Sequence, residues 1–190
     1  MTAVQVAQRM TAEEFLALPV PSHGRPWNLV DGEVVQTEPT VLHSEVIIDL
    51  LFALETWSRA KPSRGAARVP IDVQIDERNV YAPDILWYAH GRVPGRRDEP
   101  PYPLPDLAVE VRSPSTWRYD IGAKKAGYER RGLPELWLVD TQADVVLVFR
   151  RSSPQTPGFD IALELDRNQQ LTSPLLAGFS LALAELFPSR

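Results

Sequence analysis

Ten residues, Asp106-Leu-Ala-Val-Glu-Val-Arg-Ser-Pro-Ser, constrain this chain more than any other stretch. Leu107, Ala108, Val109 and Val111 form a short apolar run rich in β-formers, closed by Ser113-Pro114. Such a run predicts a buried strand. Glu110 stands in its middle and Arg112 two residues on. Side chains alternate along a strand, so Asp106, Ala108, Glu110 and Arg112 share one face. An ionised carboxylate inside a central strand is costly unless a cation, a hydrogen-bond cluster or a metal pairs with it. The sheet must therefore supply a partner for Glu110, and Arg112 is one candidate.

The rest of the chain alternates helix and strand signals. Thr11-Ala-Glu-Glu14 has the form of a capping box and, with Phe15, Leu16 and Leu18, predicts a short helix stopped by Pro19. Residues 19–26 read as a loop, and 27–38 as a hairpin about Asp31-Gly32. Over 40–59, Val46, Ile47, Leu50, Leu51, Leu54 and Trp57 recur at helical spacing. Residues 69–75 and 80–88 alternate as strands around a turn at Arg78-Asn79, and the proline-rich stretch 94–105 predicts a surface loop. Beyond the focal strand, a helix is expected over 120–131, with Asp120 as N-cap and Gly132 and Pro134 as its stop. Two strands at 136–139 and 145–149, a weaker hairpin over 159–171 and a helix near 181–187 complete the reading. One α/β domain over 1–190, with a central sheet between helices, accommodates all of this.

Composition removes several function classes. The chain has no cysteine, so disulfides, thiolate zinc and thiol nucleophiles are excluded. No apolar run approaches the roughly 20 residues that cross a bilayer, and residues 1–10 lack the layout of a secretion signal. A cytoplasmic setting without membrane contact is expected. The three histidines, His23, His43 and His90, are scattered, which disfavours a histidine zinc site. The nucleophile elbow, Walker loop, dinucleotide fingerprint and His-Glu-x-x-His motifs are missing. Net charge is −5, awkward for a nucleic-acid binder. Between Glu110 and Gly132, however, six basic residues stand against three acidic ones. Such a patch suits phosphate as well as it suits solvent.

Three acids lie at or beside strands, where acids are unexpected: Glu33, Asp84 and Glu110. If the 80–88 strand pairs with the focal one, Asp84 and Glu110 can converge with a backbone carbonyl near Val111. That oxygen-rich set suits Mg²⁺ or Mn²⁺, which bind through one or two carboxylates and keep several waters. Lys124 lies one turn into the following helix, with Tyr128 on the same face. Carboxylates for a hard cation and a lysine beside them suit phosphodiester hydrolysis.

The order of Asn28-Leu-Val-Asp-Gly-Glu33, Ala82-Pro-Asp-Ile85, residues 106–116, Asp120-Ile-Gly-Ala-Lys124 with Tyr128, and residues 132–140 resembles the Uma2 family of endonucleases. The ending, residues 173–180 with Leu186-Phe187, is also similar. The resemblance implies a restriction endonuclease-like, PD-(D/E)xK fold: a central mixed β-sheet flanked by helices, with additional β-hairpins. It implies a divalent metal and DNA as substrate, with Asp84 and Glu110 as metal ligands and Glu33 as an assisting acid. His43 matches a histidine often found near the start of the long helix. The nuclease motif places lysine two residues after the glutamate, where this chain has Arg112. Lys124 matches the family's lysine on the next helix and is the expected catalytic lysine. Arg112 stays charged and is suited to clamping phosphate or neutralising Glu110, not to proton transfer. Such folds often act as homodimers to cut two strands. Two rival readings share these residues: an inactive nucleic-acid-binding or regulatory module, and a metal-dependent hydrolase of a small phosphate ester.

Overall fold

A computed structural model of the chain describes residues 9–19 and 27–187. His23, most of the 19–26 loop and most of residues 1–10 lie outside them. The capping box forms as expected: the Thr11 side chain accepts from the Glu14 N–H, and Glu14 reaches back to the Thr11 N–H. It opens α1 (Ala12–Leu16). The Asp31-Gly32 hairpin joins β1 (Trp27–Val30) to β2 (Glu33–Gln36). The long amphipathic run becomes α2 (Val41–Arg59), whose first turn Thr40 caps by accepting from the His43 N–H. Its buried residues are His43, Val46, Leu50, Leu54 and Ser58.

The next region departs from the expected pair of strands. Of the 69–75 strand only the later part forms, in β4 (Val73–Asp76), and an unanticipated β3 (Ala66–Arg68) precedes it; the 80–88 strand is cut into β5 (Asn79–Tyr81) and β6 (Ile85–Tyr88). The breaks contain Pro70 and Pro83. Proline has no N–H to give a ladder, so a strand that meets one is free to leave its sheet. Here both do. β4 and β5 pair in a four-stranded sheet ordered β2-β1-β5-β4, while β3 and β6 pair in the main sheet.

The main sheet is completed by β7 (Leu107–Val111), β8 (Glu135–Asp140), β9 (Val145–Arg150) and β10 (Ile161–Asp166) in the order β10-β9-β8-β7-β6-β3. Only β7 and β8 are parallel, and the connection between them is helical. That helix is α3 (Trp117–Tyr119), a π-helical segment (Asp120–Lys124) and α4 (Lys125–Arg131), closed by Gly132 in the left-handed conformation. It starts three residues before the expected position. Asp120 is therefore not an N-cap but a buried residue inside the helix. The expected 159–171 hairpin also separates: β10 pairs with β9, and β11 (Gln170–Leu171) pairs with β12 (Leu181–Ala182), which shortens the last helix to α5 (Leu183–Leu186).

One face of the main sheet packs Leu107, Val109, Val111, Trp137 and Val139 against α2 and the C-terminal segment. The other packs Ala108, Leu136 and Leu138 against Tyr128 of α4 and Tyr81 of the small sheet. The alternation anticipated for the focal strand holds. Glu110 points to the second face.

Candidate active site

All five residues of β7 are buried, Glu110 included. Its partner is not Arg112. Lys124 Nζ lies 2.6 Å from Glu110 Oε1, and the same oxygen accepts the Tyr128 hydroxyl at 2.7 Å. Lys124 also donates to Asp120 Oδ1 at 2.9 Å, four residues back on the π-helical segment. Asp120 in turn takes the Thr116 hydroxyl on Oδ2, and Thr116 Oγ1 lies 2.7 Å from Ser113 Oγ. One buried ammonium thus serves two buried carboxylates. The Gly127 hydrogen is what lets α4 come this close to the small sheet: a Cβ there would stand 2.5 Å from the Tyr81 hydroxyl. Tyr81 then meets the Tyr128 ring edge-on, with centroids 5.1 Å apart.

The third acid comes from the break at Pro83. Antiparallel register pairs Ile85 with Val109, so Asp84 lies one step further, beside Glu110. Its Oδ2 accepts the Val111 N–H at 2.7 Å, tying it to the end of β7. His43, from the first turn of α2, lies with Nε2 3.4 Å from the same oxygen. The imidazole is buried, and neither ring nitrogen has a hydrogen-bond partner.

Three buried carboxylates and one buried ammonium leave an excess of negative charge. Burial pushes the Glu110 carboxyl up to about 8; Lys124 opposes this, and the charges of Asp120 and Asp84 add to it. Asp120 is raised for the same reason, burial, again against Lys124. Burial alone would lower Lys124, but Asp120 and Glu110 outweigh it and hold the ammonium above its ordinary value. The Tyr128 phenol is raised by burial and by Glu110. Crowding by like charge thus falls on Glu110 and Asp120, while Lys124 remains a cation.

Residues 12–184 match the family model described as "Putative restriction endonuclease", Uma2. The chain belongs to the Uma2 family. The fold agrees: a DUF820 protein of Anabaena variabilis ATCC 29413, titled a "putative nuclease", superposes with a TM-score of 0.76. The match covers 94% of this chain and 97% of that one at 20% identity. This Uma2 chain therefore has the restriction endonuclease-like α/β fold. No curated protein matches it significantly. Among the described residues, no helix is long and apolar enough to cross a membrane.

Asp84, Glu110, Lys124, His43 and Tyr128 thus meet in one place. Two expected residues do not join them. Glu33 is exposed at the start of β2, and none of the hydrogen bonds or ion pairs above reaches it. Arg112 turns away to Asp140, donating to both carboxylate oxygens at 2.9 and 2.8 Å, with its guanidinium 5.4 Å from the Trp117 ring centroid. Asp120, Thr116 and Ser113 were not anticipated as site residues. The Asp120–Lys124 spacing of four, read as an ion pair on one helix face, is the signal that points to the first of them.

The donor set can be weighed against a metal. Among the described residues, no group of three or more His, Asp or Glu side chains is arranged to hold one. Asp84 and Glu110 together offer what a hydrated hard cation needs, one or two carboxylates with water filling the remaining positions. A fully protein-lined cage is not on offer. The excess negative charge and the unpartnered His43 nitrogens beside Asp84 both fit the addition of a cation with its waters.

Proposed function

We propose that this protein is an Mg²⁺- or Mn²⁺-dependent endonuclease that hydrolyses phosphodiester bonds of DNA. The observation that carries this reading is the excess of buried carboxylate over buried cation where Asp84 meets the end of β7. Membership of a family described as restriction endonucleases supports it.

In this reading Asp84 and Glu110 hold the cation, which when bound polarises the phosphate and lowers the pKa of its water. The protein's own groups do the rest. Val111 fixes Asp84 through its N–H, and Tyr128 fixes Glu110 through its hydroxyl. Lys124 acts as a permanent positive charge, aimed by Asp120, that stabilises the extra negative charge of the attacked phosphate. His43 lies beside Asp84, with Nε2 3.4 Å from its Oδ2, and is placed to hydrogen-bond a water of the cation. Arg112 and Glu33 stand apart from this set.

Nicking of supercoiled plasmid with Mg²⁺, Mn²⁺ or EDTA tests the proposal. Metal-dependent nicking is expected, with Asp84→Ala and Glu110→Ala each losing at least about a hundredfold. Activity retained in either variant overturns the assignment. One observation favours a second reading, a DNA-binding module without turnover: Lys124 is clamped between two carboxylates rather than turned outward. Salt-sensitive DNA binding that persists in EDTA, with no cleavage under any metal, would select it.

A further inference from the structure

The outer side of α2 carries an apolar seam on which none of the described residues packs. Val46, Leu50 and Leu54 face the sheet, whereas Val41, Ile48 and Phe52 are 76, 62 and 73% exposed. Val41, Glu45, Ile48, Phe52, Glu55 and Arg59 follow one another in alternating steps of four and three residues. That is the spacing of the contact seam between two packed helices. Large side chains exposed singly need no explanation, but three in line along one helix mark an interaction surface. The seam is also a ridge between two hollows. One, of about 400 Å³, lies beside Leu51, Phe52 and Thr56. The other, of about 290 Å³, lies between Ile48, Asp49 and Leu186.

We infer that this face is the interface of a homodimer, in which α2 packs antiparallel against α2 of a second copy about a twofold axis near Phe52. An isologous interface has to be complementary to itself, and a ridge with its own hollows alongside meets that condition. The charges choose the orientation. Glu45 and Arg59 stand at equal distances on either side of Phe52. Antiparallel packing brings Glu45 opposite Arg59 of the second copy, at both ends of the seam. Parallel packing would bring like charges together. Arg59 holds Glu55 through Nε, which leaves its Nη groups to reach across. The same charges argue against other occupants: Glu45, Asp49, Glu55 and Glu185 line the face and repel phosphate, and an anionic bilayer surface attracts basic helices.

The inference is independent of cleavage, since His43 and the buried cluster lie across the helix from the seam. It does fix how two such clusters would be spaced. His43 is nine residues from Phe52, so the two copies of it would lie about 27 Å apart along the helix axes.

Sedimentation equilibrium of the full 21.3 kDa chain tests it. The expected mass is twice that of the chain. Phe52→Glu and Ile48→Glu should each weaken association at least about thirtyfold while leaving the far-UV circular dichroism and melting transition unchanged. Glu45→Arg should weaken it as well, and adding Arg59→Glu should restore it. A wild-type monomer at tens of micromolar overturns the inference, as does a dimer that survives Phe52→Glu. Failure of the charge exchange to restore a dimer broken by Glu45→Arg overturns the antiparallel register.

Discussion

Two buried glutamates sit on neighbouring parallel strands of the main sheet, and their surroundings differ. Glu135, at the start of β8, accepts the Trp137 indole N–H at 2.6 Å and the Ser173 hydroxyl at 2.8 Å, with Arg150 Nη2 3.3 Å away. It is one acid matched by one guanidinium and two neutral donors, and it ties the segment after β11 to β8 and β9. Glu110, on β7, shares a single lysine with Asp120 while Asp84 adds further negative charge. Burial raises both carboxyls. A raised carboxyl therefore does not by itself separate a structural acid from a functional one. The balance of charge does: Glu135 has a guanidinium to itself, and the Glu110 cluster has room for another cation.

Stability separates the two clusters most directly. Glu135→Ala leaves the buried Trp137 and Ser173 donors unpaired and takes the carboxylate from part-buried Arg150, and should cost about 3–5 kcal/mol. Glu110→Ala removes one of several crowded carboxylates and leaves Lys124 its Asp120 partner but strands the Tyr128 hydroxyl, so its cost should be smaller, about 1–3 kcal/mol. Urea denaturation of the metal-free protein measures both. The reverse ranking would mean that the Glu110 cluster is the structural one.

A smaller effect comes from pH. The folded Glu110 carboxyl is raised to about 8 from an ordinary 4.5. Between those values the folded state holds a proton that the unfolded state has released, so stability from this group is full below about 4.5 and declines as pH rises toward about 8. Glu110→Gln should flatten that decline. In the same window a metal competes with the proton, so Mn²⁺ affinity followed by titration calorimetry should rise from pH 6 to pH 9. An affinity independent of pH would separate Glu110 from metal binding. The smallest effect is expected at Arg112, which is part-exposed and committed to Asp140. Arg112→Ala should cost at most about 1 kcal/mol in melting experiments and leave nicking within a few-fold of wild type. A large loss of nicking would restore this arginine to the site.

Much of this could be read from residue pattern. The focal strand, the capped first helix, the long amphipathic helix, the β8–β9 pair and the order of the acidic pieces are local signals, and the structure keeps them. What escaped was information about neighbours. Periodicity shows that residues 80–88 extend but not that Pro83 carries them from one sheet to another. Asp120 looks like a cap because an acid in the first turn and one at the N-cap are the same in sequence. Arg112 finds Asp140 only because β7 lies parallel to β8 with Val111 opposite Val139, a register that no local pattern encodes. Lys124 and Glu110 were anticipated as site residues, but Asp120, the second carboxylate on the lysine, was not.

The passage of the chain from one sheet to the other at Pro83 has a consequence for how the site is held together. Asp84 belongs to neither ladder; it accepts one backbone bond, from Val111, and lies at the point where the chain changes sheets. Yet Asp84 directly precedes β6, so the β6–β7 register of the main sheet and the Val111 N–H are enough to set it beside Glu110. The small sheet enters behind the cluster, through Tyr81 against Tyr128. Alignment of the two acids is thus a property of the main sheet, and a change that loosens the small sheet would disturb the backing of Tyr128 before it disturbed the pair.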